Sequence, residues 1–498
     1  MRLRLARSSF AGAQRLRAPA TVRLVVSAAV AAVALASSAC FQPQLERRVC
    51  AGDDDCVDGF SCSVGLCSKE CRSVLGDVDD PALVDLSDTE IFGVLLPLTE
   101  GGVDNAAGLT REAAVRVAID EINASGGIDG RTLAGVSCDS GSDAEQAARG
   151  ADHLARVGVS AVVGEAASEV TLAVFTDVLR PAGVLMMAPS STSIDLTTQP
   201  DDGLLFRTTV SDEKQGPLLG SLVTRQSAGG DTVIVIAAND SYGAPLADAV
   251  TASVCAGGVC GRLLVTHRFD GVVSVGVAAG ALATIDRALD ERPESERDSP
   301  LGLVVLIGQK AQLGPWLAAL DDDDSDGDRF AAVPLAFTDT MRERGLFDLL
   351  AANHAIVGTA PVQETSEAEQ QLLRDNLPDD VDRNQPFAAH AYDAAAVVGL
   401  LHAAVGGERP GGPALAEAIP RLIDGASIAV IGQTAGQRNI ARALQALGAG
   451  DDVDVDGISG PLDFDDNGDV DGDIEVWIVC DDRVETADLT QVRPRCPI

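Results

Sequence analysis

Aromatic side chains are scarce: they make up 3% of the 498 residues, with only two tryptophans and two tyrosines. A binding pocket on this chain is therefore expected to be polar or wide rather than walled by rings. Basic residues are half as numerous as acidic ones, 37 against 75, and the formal net charge of -38 argues against nucleic acid as a partner. The acidity reads as solubility in the surrounding medium. The five histidines, His153, His267, His354, His390 and His402, form no H-E-x-x-H, and neither G-x-S-x-G nor a Gly-rich phosphate loop ending in Lys-Ser/Thr occurs. Catalysis and cofactor binding thus have no positive signal, and no enzyme is expected. Long apolar runs are also missing: beyond the N-terminus no segment approaches the 18 uninterrupted apolar residues of a membrane span.

The length exceeds what one core fills, so two sizeable lobes are expected. The N-terminus carries Arg2, Arg4, Arg7, Arg15, Arg17 and Arg23, then an apolar run from Leu24 to Ala36, then Ser37-Ser38-Ala39-Cys40. This is the pattern of an export signal. Small residues directly before a cysteine resemble a bacterial lipobox, which implies a signal over residues 1–39 and a diacylglyceryl group on Cys40. Ser37 replaces the usual leucine, so ordinary secretion with cleavage near Ala39 stays open. Phe41 is not an inner-membrane retention aspartate, which favours outer-membrane sorting by analogy.

Cys50, Cys56, Cys62, Cys67, Cys71, Cys138, Cys255, Cys260, Cys480 and Cys496 form an even set suited to disulfides in an oxidising space. Their spacing over Cys50 to Cys71 lacks the paired C-x2-C of a zinc site, so no metal is expected there. Five cysteines precede Cys138, so one must reach elsewhere or stay free. Proximity suggests Cys255 with Cys260 and Cys480 with Cys496. Residues 40–75 read as a disulfide-stabilised microdomain, a spacer or interaction knob, and 76–90 as an acidic linker.

From Ile91 short apolar runs alternate with longer amphipathic segments, the signature of β-α units around a parallel sheet. Strands are predicted at residues 91–96, 133–137, 159–163 and 184–188, and a second series at 232–238, 262–267, 301–307 and 333–337. Two doubly wound α/β lobes with a cleft between them follow. The stretches beginning at Asp322 and Asp463 open like calcium loops, but Val333 and Ile474 stand where the twelfth-position Glu belongs, so solvated turns are expected.

In open α/β sheets ligands sit beyond the carboxyl ends of strands. Two such ends carry small residues and hydroxyls, Gly164 to Thr171 (GEAASEVT) and Ala188 to Ser193 (APSSTS). Hydroxyls and helix-start N–H groups there suit a carboxylate. Taken singly, Ser168 is a helix cap, APSSTS a turn, Tyr242 a packing residue and Asp339 a cap; together they suggest a site.

The ordered pieces LLPLT, AVRVAIDEINASGGIDGR, GEAASEVT, MMAPSSTSIDLT, FRTTVSDEKQG, NDSYG and ISGPLDFDDNGD resemble the periplasmic branched-chain amino-acid (Leu/Ile/Val) binding proteins, the type I solute-binding fold of ABC importers. The resemblance covers Ile91 to about Cys480. It implies a first lobe from 91–207 and 359–457, a second from 208–358 and 458–498, and three crossovers near Arg207, Gly358 to Pro361 and Gly457 to Gly460. By position Ser168, Ser191 and Thr192 would hold the ligand's α-carboxylate, Asp339 would pair with its ammonium and Tyr242 would close over it. Asn105 or Ala106 and Gln309 stand where the family often has pocket aromatics. The implied protein is a lipid-anchored, periplasm-facing binder of an amino acid or related small carboxylate that serves an ABC permease. A sensor or envelope-interaction protein on the same fold is the alternative.

Overall fold

The computed structural model describes residues 48–487 apart from 77, 79, 81, 83, 227–231, 258–262, 294–300, 322–329, 331–332, 343–353, 363–365, 408, 435 and 481–482. The export segment and Cys40 lie outside the described residues, as do Cys260 and Cys496, the expected partners of Cys255 and Cys480.

Two sheets carry the fold. The first comprises β1 (Cys71–Leu75), β2 (Thr89–Leu96), β3 (Thr132–Asp139), β4 (Ala161–Gly164), β5 (Leu185–Ala188) and β6 (Leu205–Arg207), in the order β6-β5-β4-β2-β3-β1. All neighbours are parallel except β1, which pairs antiparallel with β3. The second comprises β7 (Thr232–Ala238), β8 (Leu263–Phe269), β9 (Leu301–Ile307), β10 (Leu335–Phe337), β11 (Ile356–Pro361), β12 (Ile474–Cys480) and β13 (Arg483–Ala487), in the order β8-β7-β9-β10-β11-β12-β13. Its first five strands are parallel and its last two pair antiparallel.

Strands buried on both faces explain the continuous apolar runs that the sequence shows. Each sheet therefore has two cores, one per face. Helix boundaries follow local chemistry. Asp143 accepts from the Gln146 N–H to start the Ala144–Val157 helix, and Gly158, in the left-handed region, ends it. The Ala388–Val405 helix was not anticipated, because it is apolar on every side and shows no amphipathic period. It has the length and hydropathy of a membrane span, yet 94% of it is buried against the first sheet's helices.

Several expected boundaries move. The Cys-rich segment is not a separate knob: its last strand, β1, is the edge of the first sheet. The cysteine that must reach elsewhere is Cys71, bonded to Cys138 on β3, while Cys50–Cys62 and Cys56–Cys67 close the small hairpin beyond it. Glu70 adds an ion pair to Arg149 at 2.8 Å. The acidic linker ends earlier than expected, since Thr89 and Glu90 already belong to β2. The boundary at 358 falls inside β11, so Thr359 to Pro361 stay in the second lobe. Ile458, Leu462, Phe464 and Val470 pack into the first lobe's core, and the chain rejoins the second sheet only at Ile474. Short apolar strands and buried turns give no sequence signal that separates one lobe from the other, which is why these limits were misplaced.

The first and third crossovers run side by side. Val210 bridges Val470 in parallel, and the Arg207 N–H donates to the Gly468 carbonyl at 3.0 Å. The stretch after Asp463 is a tight turn in which Asp465 Oδ1 accepts from the Asn467 and Asp469 N–H groups. The turn at Asp322 lies largely outside the described residues.

Candidate functional site

Strand order locates the cleft. In the first sheet the chain leaves β2 to one side for β3 and then returns to its other side for β4; in the second, β7 is flanked by β8 and β9 in the same way. These are switch points, where helices on opposite faces diverge beyond the strand ends and leave a crevice. GEAASEVT follows β4 and Asn239-Asp240-Ser241-Tyr242-Gly243 follows β7. The lobes touch at this rim, where Ser193 Oγ donates to the Ser241 carbonyl.

On the first lobe, Gly164 has a φ of +137°, and a Cβ there would lie 1.9 Å from the Leu95 carbonyl oxygen. Only glycine lets β4 end so close to β2. The chain then places Glu165 fully inside, accepting from Ser140 Oγ at 2.5 Å and the Ala167 N–H at 2.7 Å. Burial pushes its carboxyl up despite those bonds.

Ser168 begins the next helix but does not cap it; its hydroxyl accepts from the Ser193 N–H at 3.3 Å and keeps its own proton to donate. Ser191 Oγ lies 2.6 Å from Thr171 Oγ1 and donates towards the Glu165 and Ala166 carbonyls, so it ties the two strand-end stretches together. Thr192 Oγ1 donates to Asp212 Oδ2 at 3.1 Å. All three hydroxyl residues are buried, but Ser168 has the hydroxyl best placed to donate to an incoming group.

Arg207 organises this edge. Its guanidinium grips both oxygens of Asp469 at 2.6 Å, donates to Thr197 Oγ1 at 2.6 Å and to the Ser193 carbonyl at 2.8 Å, and is fully buried. A planar fork is needed for that set of contacts.

On the second lobe, Asp339 opens a turn after β10 and is buried. Its Oδ1 accepts from Tyr242 Oη at 2.8 Å and Gln215 Nε2 at 3.1 Å. Tyr242 Oη also lies 2.8 Å from Thr338 Oγ1. Burial raises the Asp339 carboxyl, and the two donors partly offset it. Burial, followed by the charge of Asp339, holds the Tyr242 phenol well above its ordinary value, so it remains a donor. Arg111, buried on the helix after β2 and set over the Phe387 ring at 5.6 Å, exerts its positive charge on both Glu165 and Asp339.

The structure thus brings Ser168, Ser191, Thr192, Tyr242 and Asp339 to facing ends of the two sheets. Gln309 stands back from the cluster as the N-cap of the Lys310–Leu320 helix, its N–H donating to Gln312 Oε1 at 2.7 Å; it is linked to the cluster through Gln312, whose Nε2 donates to Asp240 Oδ2 at 2.9 Å, and through its neighbour Gly308, whose carbonyl accepts from Thr340 Oγ1. The sequence reading missed Glu165, Asp212, Gln215 and the anchoring role of Arg207. A signal existed, because FRTTVSDEKQG places Asp212 and Gln215 one turn apart on a helix face that also carries buried Leu219.

A family model described as periplasmic binding protein matches residues 92–422. The Leucine-, isoleucine-, valine-, threonine-, and alanine-binding protein of Pseudomonas aeruginosa is 33% identical over 168 residues, which is 34% of this chain and 44% of that relative. The chain therefore matches less than half the length of that relative. A longer match is to the chemotactic signal transduction system substrate-binding protein BasB of Halobacterium salinarum, 28% identical over 75% of this chain and 82% of the relative. Among solved structures, the branched-chain amino acid transporter substrate binding protein LivJ from Streptococcus pneumoniae in complex with isoleucine superposes with a TM-score of 0.54 at 21% identity, covering 80% of this chain and 98% of that one. At that identity the likeness speaks for the fold.

Proposed function

The chain belongs to the periplasmic binding protein family, and on that premise we propose that it captures a zwitterionic amino acid between its two lobes and releases it unchanged to an ABC permease. The carrying observation is the buried carboxylate of Asp339, held by Tyr242 and Gln215 opposite the hydroxyls of Ser168, Ser191 and Thr192. Among the described residues no side-chain cation hydrogen-bonds the Asp339 carboxylate, and a buried anion so placed favours an ammonium ligand, while the hydroxyls opposite it suit an α-carboxylate. The low aromatic content of the chain, 3%, suits a polar or small ligand side chain. Isothermal titration of the purified protein with L-amino acids tests this: stoichiometric binding lost in Asp339→Asn supports it, and no binding by any amino acid overturns it.

Anchoring through Cys40 belongs to the same proposal, with sorting to the outer membrane as its further step. Membrane association lost in Cys40→Ala supports the anchor, and association kept by that variant refutes it. A second reading, ligand sensing without transport, is favoured by the longer match to a chemotactic substrate-binding protein. Amino-acid uptake unchanged in a strain lacking the protein, with ligand binding intact, would select it.

A further inference from the structure

Among the described residues, two acceptor atoms beside the proposed ammonium site have no hydrogen-bond partner: Asp212 Oδ1 and Gln215 Oε1, both on fully buried side chains. They belong to residues three apart in the first turn of the Asp212–Gln226 helix and so share one face. Two carboxylate or amide oxygens cannot satisfy each other, and two orphaned acceptors in one turn are costly. A proton on Asp212 Oδ1 would turn that atom from an orphaned acceptor into a donor, and Gln215 Oε1 in the same turn is an acceptor that lacks one.

The neighbouring charges favour the same placement. Gln215 Nε2 donates to Asp339 Oδ1 at 3.1 Å, to the Thr359 carbonyl at 3.1 Å and towards Thr359 Oγ1 at 3.3 Å, so its amide orientation is fixed with Oε1 turned away from Asp339. Among the described side chains, two donate to Asp339, whereas only the Thr192 hydroxyl donates to Asp212. If one of two adjacent buried carboxyls is neutral, it is the one with fewer donors. The groups facing Asp212 are Asp339 after β10, Tyr242 after β7, and Arg207 at the end of β6, the last committed to both oxygens of Asp469 from the third crossover. Glu475 on β12 is ion-paired with Arg342, and Glu213 and Lys214 on the same helix are exposed. Burial and the Asp339 charge hold the Asp212 carboxyl well above its ordinary range.

From this geometry we infer that Asp212 carries a proton in the folded, ligand-free protein and donates it to Gln215 Oε1, leaving Asp339 as the single negative charge presented to an ammonium. Asp212 is then a positioning residue: its proton fixes Gln215, and Gln215 orients Asp339. The consequence for the ligand, one cationic group accepted rather than two, rests on the amino-acid reading above. The protonation itself does not, so its test uses the protein without ligand.

Infrared difference spectroscopy at neutral pH reads it directly. A protonated-carboxyl band present in the wild type and lost in Asp212→Asn is the expected result. No such band, or a band lost instead in Asp339→Asn, overturns the inference. Gln215→Leu provides an independent reading, because the band must shift when the proton loses its acceptor; an unmoved band refutes the bond. Stability provides a further check. A folded state holding one extra proton loses a factor of about ten in its folding constant per unit rise in pH above the unfolded carboxyl range. Asp212→Asn should reduce that slope by one proton, and equal slopes in the two proteins contradict the assignment.

Discussion

Removing the Cys71–Cys138 bond, by changing both residues to alanine, tests whether the Cys-rich segment is part of the first lobe. The bond closes a loop of 67 residues. Chain entropy assigns such a loop about 4 kcal/mol of stabilisation through the unfolded state. Both side chains are fully buried, so the substitution also leaves a small void between β1, β3 and the Ala144–Val157 helix. For a domain of this size each kcal/mol moves the midpoint by about 2–4 °C, which gives a fall of about 8–16 °C. Scanning calorimetry under non-reducing conditions measures it, with the Cys50–Cys62 pair as the control. That bond closes 12 residues in the outlying hairpin, and its loss should move the main transition by no more than about 2 °C. If the Cys71–Cys138 variant melts within about 2 °C of the wild type, or if both variants fall equally, the segment is not integrated as described.

Replacing Tyr242 by phenylalanine removes one of the two donors to Asp339; amino-acid affinity measured by titration should fall about tenfold. Changing Arg207 to lysine forfeits the two-pronged grip on Asp469 and the carbonyl contacts behind APSSTS, and denaturant unfolding should show a loss of about 2–4 kcal/mol. Asp393 is fully buried and accepts from the Ile458 and Ser459 N–H groups and from Ser459 Oγ, yet burial raises its carboxyl to about 6. The folded state therefore binds its proton more tightly than the unfolded chain, and stability from this group is lost as pH rises from about 4 to 6, by about 3 kcal/mol. Asp393→Asn should abolish that part of the pH profile in thermal unfolding, and an unchanged profile refutes the assignment.

The parallel strands were legible because burial on both faces leaves uninterrupted apolar runs, and β7 and β9 begin and end where the sequence places them. β11 was not, since Ile356 to Pro361 contains Gly358, Thr359 and a terminal proline and reads as a hinge. Its glycine is needed because a Cβ would lie 2.2 Å from the Trp477 ring, a long-range contact invisible in local pattern. The candidate site could be proposed from the sequence where hydroxyls or an acid end a strand. Its buried polar support was not: Asp212 and Gln215 look like ordinary polar residues of a helix start, and only the packing of that helix under Asp339 and Thr359 makes them interior.

The central claim is that the cleft binds an ammonium through Asp339 and a carboxylate across from it. Titrating the protein and its Asp339→Asn variant with L-leucine, L-alanine, L-glutamine and, as a carboxylate lacking the amine, benzoate tests it most directly. The account predicts that at least one amino acid binds one to one, that the variant weakens it by about 100-fold or more, and that benzoate does not bind. Benzoate binding in both proteins, with no amino acid bound by either, would contradict it.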